Sequence, residues 1–313
     1  MSDKQSVTVH APGKVNLQLN VGGRRTDGYH EIATIFLAVS CYDKLVLRRS
    51  SGLRVTVSGT GAGEVPADDS NLAGQAIKAV AKMGGVEPDV HIHIHKRIPV
   101  QGGMGGGSSD AAGALLGGDA LWQLGIGRAG LMSLAEELGS DVPFSMLGGV
   151  ALGRGRGEAL QPLTSGITYH WVFAVAGFGL STPAVFGAHE RHRQEAGLPF
   201  AAGCLPAPQV SPRLIDALAC GDVDLVAQNL TNDLEFVASR MRPELTRTLT
   251  VGRGAGALAG FLCGTGATTA FLVPNESTAH DVAEALLASE TCASVRIARG
   301  PVQGPRIGKA EEF

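Results

Sequence analysis

The amino-acid sequence predicts a mixed α+β fold. Three observations carry that reading. Strand-like segments crowd the stretch from Val7 to Ser58 with connections too short for crossover helices, so they read as antiparallel. From Asn71 onward, helical patterns alternate with single short strands. A glycine run, Gln101-Gly-Gly-Met-Gly-Gly-Gly-Ser-Ser-Asp110, joins an apolar strand to a helix of small residues. The early strand run argues against a doubly wound, dinucleotide-binding sheet. At 313 residues the chain is long enough for one large domain or two ordinary ones.

Taken in order, Val7–His10 reads as a strand, Ala11-Pro-Gly-Lys14 as a turn, and Val15–Asn20 as a strand of strict alternation. On that strand Lys14 and Asn16 share one face, while Val15, Leu17 and Leu19 face the core. Read in isolation, Lys14 is an ordinary solvated lysine. Arg24–His30 is a polar connection with an Asp27-Gly28 turn, followed by a strand at Glu31–Leu37. Two more strands span about 44–49 and 53–58. A long loop, 59–70, precedes a helix over 71–83, which Asp69 or Ser70 would cap and Gly84-Gly85 would stop.

His91, His93 and His95 alternate with apolar residues, so a strand puts the imidazoles on one face. A zinc site is conceivable there, but no Cys or carboxylate is spaced to complete it. The better reading is an exposed polar strand face, with no metal. Helices over 108–124 and 128–138 follow. Gly139-Ser-Asp141-Val-Pro143 reads as a stiffened helix-to-strand turn, in which Asp141 by itself is most simply a cap. Gly148–Gly153 is a strand. Gly-Arg-Gly and a short polar stretch then place a soft domain boundary near residue 160, dividing the chain into 1–160 and 161–313.

The second half opens with a strand at Trp171–Ala176 and a turn. Next comes a helix over 184–193 carrying Phe186, with Thr182 as N-cap and Pro183 at N1. The Pro- and Ala-rich segment 195–210 reads as a mobile surface loop. Helical segments follow at 212–219, 222–229, 234–240 and 243–251. Between Ala255 and Val273 two short strands flank a second tight glycine turn, Cys263-Gly-Thr-Gly-Ala267, which an ordinary hairpin would also explain. A helix over 278–288 and a strand over 294–298 close the fold, and the tail from Gly304 reads as disordered.

Composition excludes several function classes. Hydrophobic content of 44% and charged content of 18% describe a globular chain. A net charge of −3 gives no reason to expect nucleic acid or a membrane surface as partner. The start of the chain lacks an apolar signal core, and no apolar run is long enough to span a bilayer. The 5 cysteines are scattered without metal-ligand spacing, which reads as reduced thiols in a cytoplasmic protein.

The glycine run carries the chemistry. Without Cβ atoms, its backbone N–H groups can approach a ligand closely. The following helix N-terminus favours an anion, so the stretch is built as a phosphate cradle. It is not a Walker loop, because no Gly-Lys-[Ser/Thr] follows, and it fits the G-x-G-x-x-G fingerprint poorly. The plain alternative is a flexible surface turn, which has no need of the Ser-Ser-Asp and helix that follow.

Three separated segments now fit one pattern. Ala11-Pro-Gly-Lys-Val-Asn16, Pro99–Asp110 and Cys263-Gly-Thr-Gly-Ala-Thr268 resemble, in order and spacing, the three motifs of the GHMP kinase superfamily. Asp27-Gly-Tyr-His30, Gly139-Ser-Asp-Val-Pro143 and Asn232-Asp-Leu-Glu235 narrow the resemblance to its cytidine-diphosphate branch, in the non-mevalonate route to isoprenoids. The third motif departs from the usual Ser-Gly opening by reading Cys263-Gly264, and Gly13 stands where relatives often have Ala.

The resemblance implies two α+β domains with the active site in the cleft between them. It implies ATP with Mg²⁺ and a small-molecule acceptor: a hydroxyl on a cytidine-diphosphate compound. Asp141 would be the catalytic base, assisted by Lys14. Gly102, Gly103, Met104, Gly105, Gly106, Gly107, Ser108 and Ser109 would hold the triphosphate, and Asn71 would lie near the adenine. Asn16 would orient the sugar-like chain, and Gly264, Thr265 and Gly266 would support the substrate's diphosphate or the glycine loop. Tyr29 and Phe186 would sandwich the cytosine while His30 bonds its edge. The rival expectations are another kinase of the superfamily, acting on mevalonate, homoserine or a sugar, and a non-catalytic nucleotide-binding relative. Neither has an obvious use for the full set, since the first needs no cytosine pocket and the second needs neither Lys14 nor Asp141.

Overall fold

The computed structural model describes residues 6–198 and 206–308. Strand β1 (Ser6–Arg24) pairs antiparallel with β2 (His30–Arg49) through the short Arg25–Tyr29 turn. The two form the spine of the larger sheet. β3 (Arg54–Gly59) lies parallel to β4 (Val90–Lys96), which pairs with the far end of β2. β5 (Val150–Gly155) pairs with the near end of β2, and β6 (Ala159–Leu163) pairs with β5. Ala11-Pro-Gly-Lys14 is therefore not a turn. The chain runs straight through it, and the register shift between Pro12 and Gly13 marks a bulge at Ser40 and Cys41 of the paired strand β2. β6 was hidden by Pro162. It pairs with β5 along a single edge, where a residue without N–H is tolerated.

Helices α1 (Leu72–Gly84), α2 (Gly106–Trp122) and α3 (Gly127–Leu138) cover one end of this sheet. Val9, Leu45, Leu47, Ile92 and Ile94 pack there against Ala76, Ile77, Ala112 and Leu115. Glycines let α2 approach closely: a Cβ on Gly117 would lie 2.7 Å from Leu47. The cap of α1 is neither Asp69 nor Ser70 but Asn71, whose Oδ1 accepts from the Ala73 and Gly74 N–H groups. Asp141 precedes a short helix, α4 (Val142–Leu147), so its turn joins two helices rather than a helix to a strand.

β7 (Tyr169–Val175), β9 (Ala259–Leu262), β10 (Thr269–Val273) and β11 (Ser294–Gly300) form a second, antiparallel sheet in the order β11-β7-β10-β9. Helices α9 (Glu244–Gly254) and α10 (Glu276–Ala288) cover one face, against Val172, Ala174, Phe271 and Val273. From the other face Trp171 and Phe173 join Val15, Leu17, Ile35 and Leu37 of the first sheet in one core. Helix α5 (Thr182–Glu195) begins at Ser181 rather than Thr182 as N-cap. Helices α6 (Pro212–Cys220), α7 (Val223–Gln228) and α8 (Glu235–Met241) complete the second half. Two short returns join it to the first sheet, both on the edge of β1 that β2 leaves open: β8 (Thr231–Asn232) beside Gln18 and Leu19, and β12 (Arg306–Ile307) beside Val9 and His10. The segment Gly304–Gly308 is thus anchored, contrary to the expected disorder, because Gly304 packs on Met146 and Arg306 pairs with His10. The remainder of the predicted tail, and residues 199–205 of the 195–210 loop, lie outside the described residues. Among the described residues no helix is long and apolar enough to cross a membrane.

Candidate active site

A cleft of about 750 Å³ opens beside β1, β2, the glycine loop, α5 and the β9–β10 turn. At its floor the bulged strand presents Lys14 and Asn16, the pair predicted to share a face. Lys14 Nζ donates to Asn16 Oδ1 at 2.8 Å and lies 3.3 Å from Asp141 Oδ2. Asn16 Nδ2 in turn donates to Thr34 Oγ1, which donates to the Gln18 carbonyl. The lysine is buried and the carboxylate partly open to the cleft. Asp141 sits at the N-cap position of α4, yet its side chain makes no cap hydrogen bond. It is left free to face Lys14, which the cap reading did not anticipate.

The glycine loop is held in place by its own lack of side chains. Gly103 (φ 76°) and Gly105 (φ 72°) occupy the left-handed region. A Cβ on Gly103 would lie 1.9 Å from the Cys263 carbonyl, and one on Gly105 would lie 3.0 Å from Lys14 Cγ. The Met104 carbonyl accepts from the Lys14 N–H at 3.0 Å. The three motifs therefore touch one another. Gly105 is also the N-cap of α2 and has no side chain to satisfy the helix's first N–H groups, which leaves them for an anion.

Beneath the loop, Lys96 Nζ bridges Asp43 and Asp110, contacting the latter at 2.6 Å. All three side chains are nearly or wholly buried. Burial pushes the Asp110 carboxyl well above the usual range, opposed by the Lys96 charge. A Cβ on Gly106 would lie 3.1 Å from Lys96 Nζ, so this triad supports the loop from below. Sequence reasoning missed it. The signal was Asp110 itself, a carboxylate on the otherwise apolar, small-residue face of α2.

The third motif is the turn of the β9–β10 hairpin, as the hairpin reading expected. Cys263 is fully buried, and burial pushes its thiol up to about 12. Its side chain belongs to the core while its carbonyl meets the glycine loop, so the thiol has no part in the cleft. Asn232 braces this turn: its Nδ2 donates to the Leu262 and Gly264 carbonyls, and its Oδ1 accepts from the Leu234 N–H. Asp233 accepts from the Val21 N–H, and Glu235 accepts from the Leu262 N–H. The Asn-Asp-Leu-Glu element thereby ties the third motif to β1.

At the far end of the cleft stand Tyr29, His30 and Phe186. Tyr29 is 54% exposed, with the Arg156 guanidinium 5.1 Å from its ring centre. His30 is buried and stacks on Phe186 at 4.9 Å, so one face of Phe186 is already covered. Burial holds the His30 imidazole below its ordinary value, against the raising effect of Glu190. Glu190 and Arg156 escaped the sequence reading. Glu190 follows Phe186 by four residues on α5, a spacing that puts both on one helix face. Arg156 lies in the β5–β6 turn, which had been read only as a boundary.

Of the predicted site residues, Lys14, Asn16, Tyr29, His30, Gly103, Gly105, Asp141, Phe186, Gly264 and Thr265 line this one cleft. Others face elsewhere. Met104 is buried in the core, and Gly266 packs on Leu262 and Leu180. The Ser109 hydroxyl donates to the Pro12 carbonyl at 2.5 Å. Asn71 caps α1 with its oxygen and donates its amide to the Pro66 carbonyl. These side chains shape the loop and helices. Gly102 packs on Pro99 and Thr268, and Gly107 against Leu72. The three histidines of β4 bond to Thr56 and Ser58 of β3, as a polar strand face would. Among the described residues no cluster of His, Cys, Asp or Glu has the makings of a metal cage.

Comparison with known proteins agrees with this geometry. Residues 71–149 match the family model described as GHMP kinases N terminal domain, and residues 214–290 match GHMP kinases C terminal. The 4-diphosphocytidyl-2-C-methyl-D-erythritol kinase of Streptomyces avermitilis is 50% identical over 302 residues, covering 96% of this chain and 99% of that one. A crystal structure of 4-(cytidine 5'-diphospho)-2C-methyl-D-erythritol kinase superposes with a TM-score of 0.77 at 34% identity, covering 94% of this chain and 99% of that one. The homoserine kinase of Cytophaga hutchinsonii shares the fold, with a TM-score of 0.74 at 19% identity over 98% of this chain and 99% of that one.

Proposed function

The chain belongs to the GHMP kinase family, and we propose that it phosphorylates 4-diphosphocytidyl-2-C-methyl-D-erythritol with ATP. The product would be the 2-phosphate, with ADP, in non-mevalonate isoprenoid precursor synthesis. The observation that carries this reading is one cleft with two kinds of wall. A glycine-lined helix terminus and the Lys14–Asp141 pair form one end, and an aromatic pocket fit for a nucleobase forms the other.

Phosphoryl transfer in most analyses passes through a loose transition state, so positioning and charge stabilisation do most of the catalysis. Backbone N–H groups of the loop, from Gly103 through Ser108, hold the phosphates with dipoles fixed before reaction. Asp141 orients the acceptor hydroxyl and takes its proton late, as the new P–O bond forms. Lys14, 3.3 Å from Asp141, offsets charge building on the transferring oxygens. Asn16, its amide held between Lys14 and Thr34, orients the erythritol chain through its second N–H. The nucleotide would carry Mg²⁺, held mainly by phosphate oxygens and water. That suits a site with one carboxylate at its centre and no multi-ligand cage.

The test is ADP release with ATP, Mg²⁺ and the cytidyl substrate, run beside mevalonate, homoserine and galactose. Turnover confined to the cytidyl substrate is expected. Turnover confined to another acceptor would overturn the substrate while leaving the family in place.

A further inference from the structure

The cleft must tell cytosine from uracil, and the two bases differ at one edge. Cytosine presents an exocyclic amino donor where uracil presents a carbonyl acceptor. A neutral imidazole can serve either, depending on which ring nitrogen carries its hydrogen.

His30 is held in one environment. Its ring is buried, stacked on Phe186, with Nε2 lying 3.1 Å from Glu190 Oε1. The approach is off the line of a straight hydrogen bond, and Nε2 has no other partner among the described residues. Glu190 Oε1 also stands 3.9 Å from Arg24 Nε. An ionised carboxylate accepts hydrogen bonds and never donates them. A hydrogen on Nε2 is attracted to it, whereas a lone pair there is repelled.

Building on the cytidyl reading, we propose that Glu190 is a specificity-determining positioning residue. It fixes His30 as the Nε2–H tautomer and leaves Nδ1 as the acceptor for the amino group of cytosine. Glu190 acts through His30 and touches neither the reacting phosphate nor the ribose. A uridine substrate would set its carbonyl lone pairs against those of Nδ1. A site built to bond one group rejects an analogue lacking it, because a buried polar atom is left unpaired.

Glu190→Gln tests this, since it keeps the shape and removes the charge. A glutamine amide can turn its N–H₂ toward Nε2, which moves the ring hydrogen to Nδ1. The expected result is a fall of roughly 10- to 100-fold in the ratio of kcat/KM for cytidyl over uridyl substrate. The KM for ATP should not change. Selective ¹⁵N-histidine NMR of the full chain reads the tautomer without turnover: Nε2 should carry the hydrogen in the wild type and lose it in the variant. An Nδ1–H tautomer in the wild type, or an unchanged cytidyl-to-uridyl ratio in Glu190→Gln, overturns the proposal while leaving the cytidyl reading intact. Failure of the wild type to use or bind the cytidyl substrate overturns both.

Discussion

The end of the cleft proposed to hold phosphate is built from backbone; the end proposed to hold a base is built from side chains. Gly103, Gly105 and Gly264 sit at positive φ, in contact with one another's strands and loops, and Lys14 is buried against them. Tyr29 is half exposed, and its neighbours come from the β5–β6 turn (Arg156), the start of β2 (His30) and α5 (Phe186 and Glu190). The first arrangement is set by close packing and can hold dipoles still while charge moves. The second is set by ring stacking and ion pairing and can be re-tuned one side chain at a time. The proposed function assigns the chemistry common to all substrates to the rigid part and recognition of a particular base to the adjustable part.

That contrast makes its sharpest prediction at Asp141. Asp141→Asn should lower kcat by roughly 10²- to 10⁴-fold, the range for a positioned acid–base group, with both KM values nearly unchanged. Steady-state kinetics check it. Gly103→Ala comes next. Its Cβ would collide with the Cys263 carbonyl at 1.9 Å and its φ is unfavourable for alanine. The expected cost is about 3 kcal/mol in stability by urea unfolding, together with a loss of ATP binding, because loop and third motif cannot both keep their places. At the other end, Tyr29→Ala should weaken the cytidyl substrate by about 1–3 kcal/mol, which is roughly 5- to 150-fold in KM. The KM for ATP should hold, and equal effects on both would erase the distinction between the two ends.

The smallest effect is expected on acidification. Burial lowers the pKa of His30 and of His189 relative to the unfolded value of 6.5. The unfolded chain then binds protons that the folded chain resists. Stability should fall as pH drops through 6.5 and level off below the folded values. Protonating His30 also fills Nδ1, so cytidyl affinity should fall over the same window while ATP affinity stays flat. Thermal melts and titrations between neutral pH and about pH 5 check both.

The same contrast explains what the sequence made legible. Backbone function needs contiguous glycines, so Gly102–Gly107 and Gly264–Gly266 could be read directly, and Lys14 with Asn16 followed from strand alternation. Side-chain function leaves no such run. Glu190 looked like any charged residue on a helix, and Arg156 like part of a polar linker. Most helices of the second half stood where their patterns placed them, within a residue or two. The errors in the fold lay where tertiary pairing overrode local chemistry. Pro12-Gly13 looked like a turn but lies within β1, opposite the bulged Ser40 and Cys41 of β2, which pairs on both sides of it. Pro162 hid an edge strand, and Arg306 is ordered because it finds β1. The cap of α1 was read as Asp69 or Ser70, one or two residues ahead of Asn71, whose side chain accepts from the Ala73 and Gly74 N–H groups.

One titration tests the central separation most directly: calorimetric binding of 4-diphosphocytidyl-2-C-methyl-D-erythritol to Asp141→Asn. If phosphate chemistry and base recognition are built apart, its affinity should stay within about threefold of wild type while turnover is lost. An affinity loss as large as the loss of turnover would contradict the account, because the carboxylate would then be holding the substrate rather than acting on its hydroxyl.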